Sequence, residues 1–137
     1  MKILPLFVAI LGILTASLVF GVPPTLVKTE QALIVHFNYG LRDLKRLFEL
    51  EDKLEAAISK AGVGQYDGNE VASDGKDGYL YMYGPNVDRL FEVVRPILES
   101  TPFLRGAQAK KRYGPPTLGV GESTVIIKPS FAIRSNR

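Results

Sequence analysis

Val35-His36-Phe37-Asn38-Tyr39-Gly40 leads through a charged turn into Arg46-Leu47-Phe48-Glu49, and the chain then says nearly the same thing again. Leu80-Tyr81-Met82-Tyr83-Gly84 leads through Asn86 and Asp88 into Arg89-Leu90-Phe91-Glu92. Each copy is an alternating apolar run, a Tyr-Gly break and the start of an amphipathic helix. Period-two alternation is the mark of a half-buried strand, and steps of three and four are the mark of a helix. Two strand-helix units are therefore the starting point.

Around the first copy, Ala32 to Tyr39 reads as a strand, with Leu33, Val35, Phe37 and Tyr39 on one face and Ile34, His36 and Asn38 on the other. Leu41 to Lys60 reads as a helix on the recurrence of Leu44, Leu47, Phe48, Leu54, Ile58 and Ala61, and Gly62 stops it. Gln65 to Ala72 makes a second strand, and the Asp-Gly pairs of Ser73 to Gly78 make a hairpin loop. Tyr79 to Tyr83 is the third strand. Asn86 caps a second helix whose stripe is Val87, Leu90, Phe91, Val94 and Leu98, with Pro96 expected to kink it or end it early. Ala107 to Tyr113 is the fourth strand, closed by Gly114-Pro115-Pro116, and Ser123 to Lys128 can add a fifth at an edge.

The order β-α-β-β-α-β with two right-handed crossovers gives an α+β fold. The expected form is a ferredoxin-like sandwich, a four-stranded antiparallel sheet with both helices on one face. Helix-facing positions are then Leu33, Val35, Phe37, Leu80, Met82, Ala107 and Ala109. The uncovered face carries Ile34, His36 and Asn38 on the first strand, Tyr79, Tyr81 and Tyr83 on the third, and Gln108, Lys110 and Arg112 on the fourth. The first strand should lie between the third and fourth, so tyrosines flank His36 on one side and bases on the other. Tyrosine offers a large apolar face with a polar tip, which suits a recognition surface. Cross-strand packing, or a roof formed by the tail or a second protomer, is the competing reading of the same tyrosines.

Ahead of this domain, Ile3 to Val22 carries no charge and follows Lys2. A helix of that length rises about 30 Å, the thickness of a bilayer's hydrocarbon core. Residues 1–24 are thus expected to be either a cleaved signal peptide or an uncleaved membrane anchor ended by Pro23-Pro24, with 25–30 as a linker. The domain proper is expected over 31–116, followed by a basic tail over 117–137. From Arg105 onward the only acid is Glu122, against Arg105, Lys110, Lys111, Arg112, Lys128, Arg134 and Arg137. Such a tail suits solubility or contact with an acidic partner. There is no cysteine, which excludes disulfides, thiol catalysis and thiolate metal sites.

Catalytic patterns are missing. His36 is the only histidine and has no nucleophile elbow or second histidine to support it as a base or a zinc ligand. Asp67-Gly68-Asn69-Glu70 approaches a calcium loop, but Val71 stands where a third oxygen ligand is needed. Gly119-Val120-Gly121 lacks the lysine and helix of a phosphate loop. Asp77-Gly78-Tyr79-Leu80-Tyr81-Met82-Tyr83 is similar to the third-strand motif of RNA-recognition motifs at the glycine and two aromatics. It departs from that motif at Asp77, where a base belongs, and at Leu80. With no aromatic on the first strand's open face beyond the His36 ring, and an export segment ahead of the domain, no nucleic acid is expected as a partner. Acylphosphatases share the inferred topology, yet their arginine-bearing glycine loop has no counterpart after the first strand.

Residues 31 to about 116 resemble small bacterial proteins of ferredoxin-like topology that have no established activity. The resemblance lies in Leu80-Tyr81-Met82-Tyr83-Gly84-Pro85, Leu90-Phe91-Glu92-Val93-Val94-Arg95-Pro96 and Lys111-Arg112-Tyr113-Gly114-Pro115-Pro116. It implies a fold and no reaction. The expectation is a non-enzymatic, exported or membrane-tethered protein of the cell envelope, without cofactor or metal. It would bind a protein partner or itself through His36, Tyr79, Tyr81, Tyr83, Lys110 and Arg112 or through an edge strand. A small-molecule binder or enzyme working at the same face, and a structural envelope component, are the alternatives.

Overall fold

The computed structural model describes residues 30–130; the leader, most of the linker and the last seven residues lie outside them. In chain order the elements are β1 (Gln31–Phe37), α1 (Lys45–Ala61), β2 (Gln65–Val71), β3 (Gly78–Gly84), α2 (Val87–Ser100), a short 3-10 turn (Pro102–Leu104), β4 (Gln108–Arg112) and β5 (Glu122–Ile126). They make an α+β fold: one sheet in the order β2-β3-β1-β4-β5, antiparallel at every pairing, with two helices packed against it. The sheet has five strands rather than four, because Glu122 to Ile126 extend it beyond β4. No helix among the described residues is long and apolar enough to cross a membrane.

Alternation decides which side is covered. Leu33, Val35, Leu80, Met82 and Ala109 are fully buried, and Phe37 nearly so, in one core with Leu47, Leu54, Ile58, Val87, Leu90, Val94 and Leu98 from the helices. Burying such side chains is worth roughly 1.5–3 kcal/mol each, which makes this layer the main source of stability. Among the described residues no helix lies over the opposite sheet face.

Three local expectations are corrected. The helix expected from Leu41 begins at Lys45, because the Asp43 carboxylate accepts the Lys45 N–H (2.9 Å) and holds the preceding residues in a loop. Gly40, at φ 70°, donates from that loop to the Gly75 carbonyl (2.8 Å), tying it to the β2–β3 hairpin. The α1 stripe is Leu47, Leu50, Leu54 and Ile58, while Leu44, Phe48 and Ala61 are exposed. Finally, α2 runs through Pro96 to Ser100, since Pro96 sits on the exposed side while Leu98 anchors the last turn in the core. The two helix boundary signals hold. Gly62 closes α1 at φ 62°, and the Asn86 side chain accepts the Arg89 N–H (2.9 Å) at the start of α2.

Candidate functional site: the uncovered sheet face

The pairing registers arrange this face in three rows across the strands. Gln65, Tyr83, Ala32, Arg112 and Glu122 form the first; Gly68, Tyr81, Ile34, Lys110 and Thr124 the second; Glu70, Tyr79, His36, Gln108 and Ile126 the third. His36 and Ile34 therefore lie between the tyrosine strand and the basic strand, as the alternation implied. Tyr79, Tyr81 and Tyr83 are half-buried and none lies under a helix.

The aromatic groups form a continuous plate. His36 stacks on Tyr79 with centroids 4.7 Å apart and planes inclined by 22°, and Tyr79 lies nearly parallel to Tyr81 at 6.2 Å. The Tyr81 hydroxyl donates to the Glu70 carboxylate (3.0 Å). Partial burial, then this hydrogen bond, push its pKa up to about 12. Tyr81 is thus a neutral, oriented donor throughout the physiological range.

The bases are less free than their sequence suggests. Lys110 pairs with Glu122 across β4–β5 (3.3 Å), and Arg112 donates Nε–H to the Gly114 carbonyl (2.8 Å). Both contacts hold the cations near the sheet instead of letting them sweep through solvent. Tyr83 and Arg112 line a depression of about 430 Å³ with Glu30, Gln65, Asp67, Pro115 and Pro116. Between Tyr83 and Arg112 in the sheet stands Ala32, paired with both and fully buried. His36 belongs to a separate hollow of about 300 Å³ at the other end of the strands, so the six expected residues share a face but not a pocket.

That second hollow holds a contact the sequence reading missed. Asp77 Oδ1 lies 2.5 Å from His36 Nε2, and Lys76, Arg105, Asn38 and Gln108 stand around the pair. Asp77 had an adequate explanation as a turn residue. The signal that could have found the pair is register: Gly78 opposes Phe37, which sets Asp77 beside the end of β1. An Asp–His pair can orient an imidazole for proton transfer. No serine, threonine or cysteine lines the hollow, and no cluster of metal-ligating groups exists among the described residues.

A second group was also missed, on the covered side. Lys111 alternates with Lys110 and Arg112 and so points toward α2, where its ammonium donates to Asp88 Oδ1 (2.6 Å) and lies over the Phe91 and Tyr113 rings. The Tyr113 hydroxyl also donates to Asp88 (3.1 Å). Lys111's hydrogen bond, foremost, holds the Asp88 carboxyl below the usual range, and the same contact raises Lys111. This group fastens β4 to the start of α2 and is not part of the open surface. Period-two alternation applied to the basic run would have placed it.

The chain matches no family model, no curated protein and no solved structure.

Proposed function

We propose that this chain is a non-enzymatic protein-interaction module of ferredoxin-like topology with one added strand, held at or exported across a membrane by its apolar leader. It binds a partner protein through the uncovered sheet face or an edge strand. The observation that carries this reading is the half-buried His36–Tyr79–Tyr81 plate on the uncovered face, with Lys110 and Arg112 beside it. Aromatic and arginine side chains on a rigid support are the groups that dominate protein interfaces, because they bury much area at little entropic cost. The strand order with β1 between β3 and β4 supports the topology. The resemblance to small bacterial proteins and the envelope location rest on the sequence alone.

Replacing Tyr81 and Arg112 together by alanine is the test. Crosslinked partners recovered from membranes with the unaltered chain should be lost, while thermal unfolding moves by only a few degrees because both side chains lie on the surface. Undiminished capture, or collapse of the fold, defeats the assignment. The Asp77–His36 pair favours a second reading, a small-molecule binder or enzyme using His36 as acid or base. A pH-dependent turnover abolished by His36→Ala would establish it.

A further inference from the structure

The two edges of the sheet are built differently. The β2 edge carries a bulge between Tyr66 and Gly68, a glycine at φ 125° and the charges Asp67 and Glu70. Such features keep an edge from pairing with another strand. The β5 edge has neither bulge nor positive-φ glycine, and between Glu122 at its start and Lys128 beyond its end Ser123-Thr124-Val125-Ile126-Ile127 is uncharged and mostly β-branched, with Ile126 48% exposed. Its outward main chain follows from the hydrogen bonds it already makes. Ile127 donates to the Ala107 carbonyl (2.9 Å) and accepts from the Gly106 N–H (2.9 Å), so the odd-numbered residues turn their backbone groups toward β4. Glu122, Thr124 and Ile126 then turn theirs away. Among the described residues no strand pairs with that side.

We infer that this edge pairs antiparallel with the same edge of a second copy of the chain, about a twofold axis at Val125. Ladder geometry requires outward-turned residues to oppose one another, and of the registers that satisfy this, those centred on Thr124 and on Val125 oppose the strand to itself most fully. Centring on Thr124 sets Glu122 against Ile126 of the second copy. Centring on Val125 sets Thr124 against Ile126 and Glu122 against Lys128, and the symmetry supplies that ion pair at both ends. Lys128 precedes Pro129 and so favours the extended backbone this needs. The strand is complementary to itself in shape, hydrogen bonding and charge. Joining two sheets this way makes one continuous sheet, with the two tyrosine faces on a common side. The inference rests on the part of the proposed function that gives an edge strand a partner.

The chain has no cysteine, so a single introduced thiol reports the register. Opposed residues at a non-hydrogen-bonded position have Cα atoms about 4.5 Å apart, within disulfide range. In the full chain, in mild detergent under oxidising conditions, Val125→Cys should give a disulfide-linked dimer as the main product. Thr124→Cys, offset from its own copy, and Glu70→Cys on the β2 edge should link several-fold less. Thr124→Pro added to Val125→Cys removes an outward N–H but no β4 contact and should abolish the link; Lys128→Glu should weaken it several-fold by opposing Glu122. Linking at Val125 no greater than at Glu70, stronger linking at Thr124, or indifference to both added substitutions overturns the inference. The Tyr81 and Arg112 double variant should still link through Val125→Cys, so failure at the face and failure at the edge are separable.

Discussion

Gly84 closes β3 where the connection from α1 to β2 passes over it, and replacing it with alanine tests how tightly the two halves are joined. A Cβ there would lie 2.3 Å from the Val63 carbonyl oxygen and 3.3 Å from Gly64 Cα. Ordinary contact between such atoms is about 3.5 Å, so two stretches of main chain must part by about 1 Å. Neither yields easily. The Val63 N–H is bonded to the Ile58 carbonyl (3.3 Å), and Gly64 is itself pressed against the Tyr83 carbonyl. Overpacking costs about 1–3 kcal/mol, with the upper half fitting a clash against backbone. Alanine returns about 0.4–1 kcal/mol by restricting the unfolded chain, leaving a net loss of about 2 kcal/mol. Gly62→Ala is the reference: nothing lies within 4 Å of its Cβ, and only its left-handed φ of 62° opposes the change. That conformation costs about 1–2 kcal/mol before the same return, for a net loss of about 0.5–1. At about 4–8 °C per kcal/mol for a domain of this size, Gly84→Ala should lower Tm by about 8–16 °C and Gly62→Ala by half that or less. Far-ultraviolet circular dichroism of the full chain in mild detergent, checked by urea midpoints, measures both. Equal losses for the two variants would refute the close approach at Gly84.

Two further outcomes follow from ionisation. Lys111 holds the Asp88 carboxyl below its ordinary value, so the stability this contributes is full above about pH 4 and is lost as pH falls through the lower folded value. Asp88→Asn should flatten that part of the acid limb in urea midpoints taken across the acid range, and an unchanged limb would show that the contact does not couple to folding. Tyr81 is held neutral to about pH 12, so its contribution is complete below its ordinary value near 10 and disappears between the two. Ultraviolet titration should lose one late tyrosinate step in Tyr81→Phe, whereas Glu70→Gln should move that step only partway down, because burial remains.

Where a single physical signal decided an element, the sequence was enough. Strict alternation placed Leu33, Val35, Leu80 and Met82 under the helices and left His36, Tyr79 and Tyr81 outside. Gly62 and Asn86 marked helix ends because each answers a local backbone need. The start of α1 was harder, since Leu41 and Leu44 fit the helical period yet lie in a loop fastened by Gly40 to the distant Gly75. Phe48 fits the period too and is 51% exposed, because periodicity within one helix does not fix which adjoining face meets the sheet. The His36–Asp77 and Lys111–Asp88 contacts cross 41 and 23 residues. Such contacts depend on registers that local patterns do not carry.

The repeat that led to the fold was sound about element order and misleading about register. Aligned on Tyr-Gly, Phe37 matches Tyr81, yet Phe37 faces the helices and Tyr81 faces away. Tyr39 is buried, its hydroxyl donating to the Asp43 carbonyl, whereas Tyr83 lines the open depression. The glycines diverge as well. Gly40 is needed for its φ of 70° in a loop, and Gly84 because a carbonyl occupies the place of its Cβ. The same two letters thus meet two unrelated demands. Burial parity offers a stricter comparison: Leu33 and Val35 correspond to Leu80 and Met82, which puts Ile34 in the position of Tyr81. The half beginning with β1 therefore presents a smaller apolar side chain where the other presents a tyrosine, and the uncovered face is asymmetric, aromatic on β3 and basic on β4. On the proposed reading a partner meets these two halves together, whereas tyrosines that served cross-strand packing alone would need no basic strand beside them.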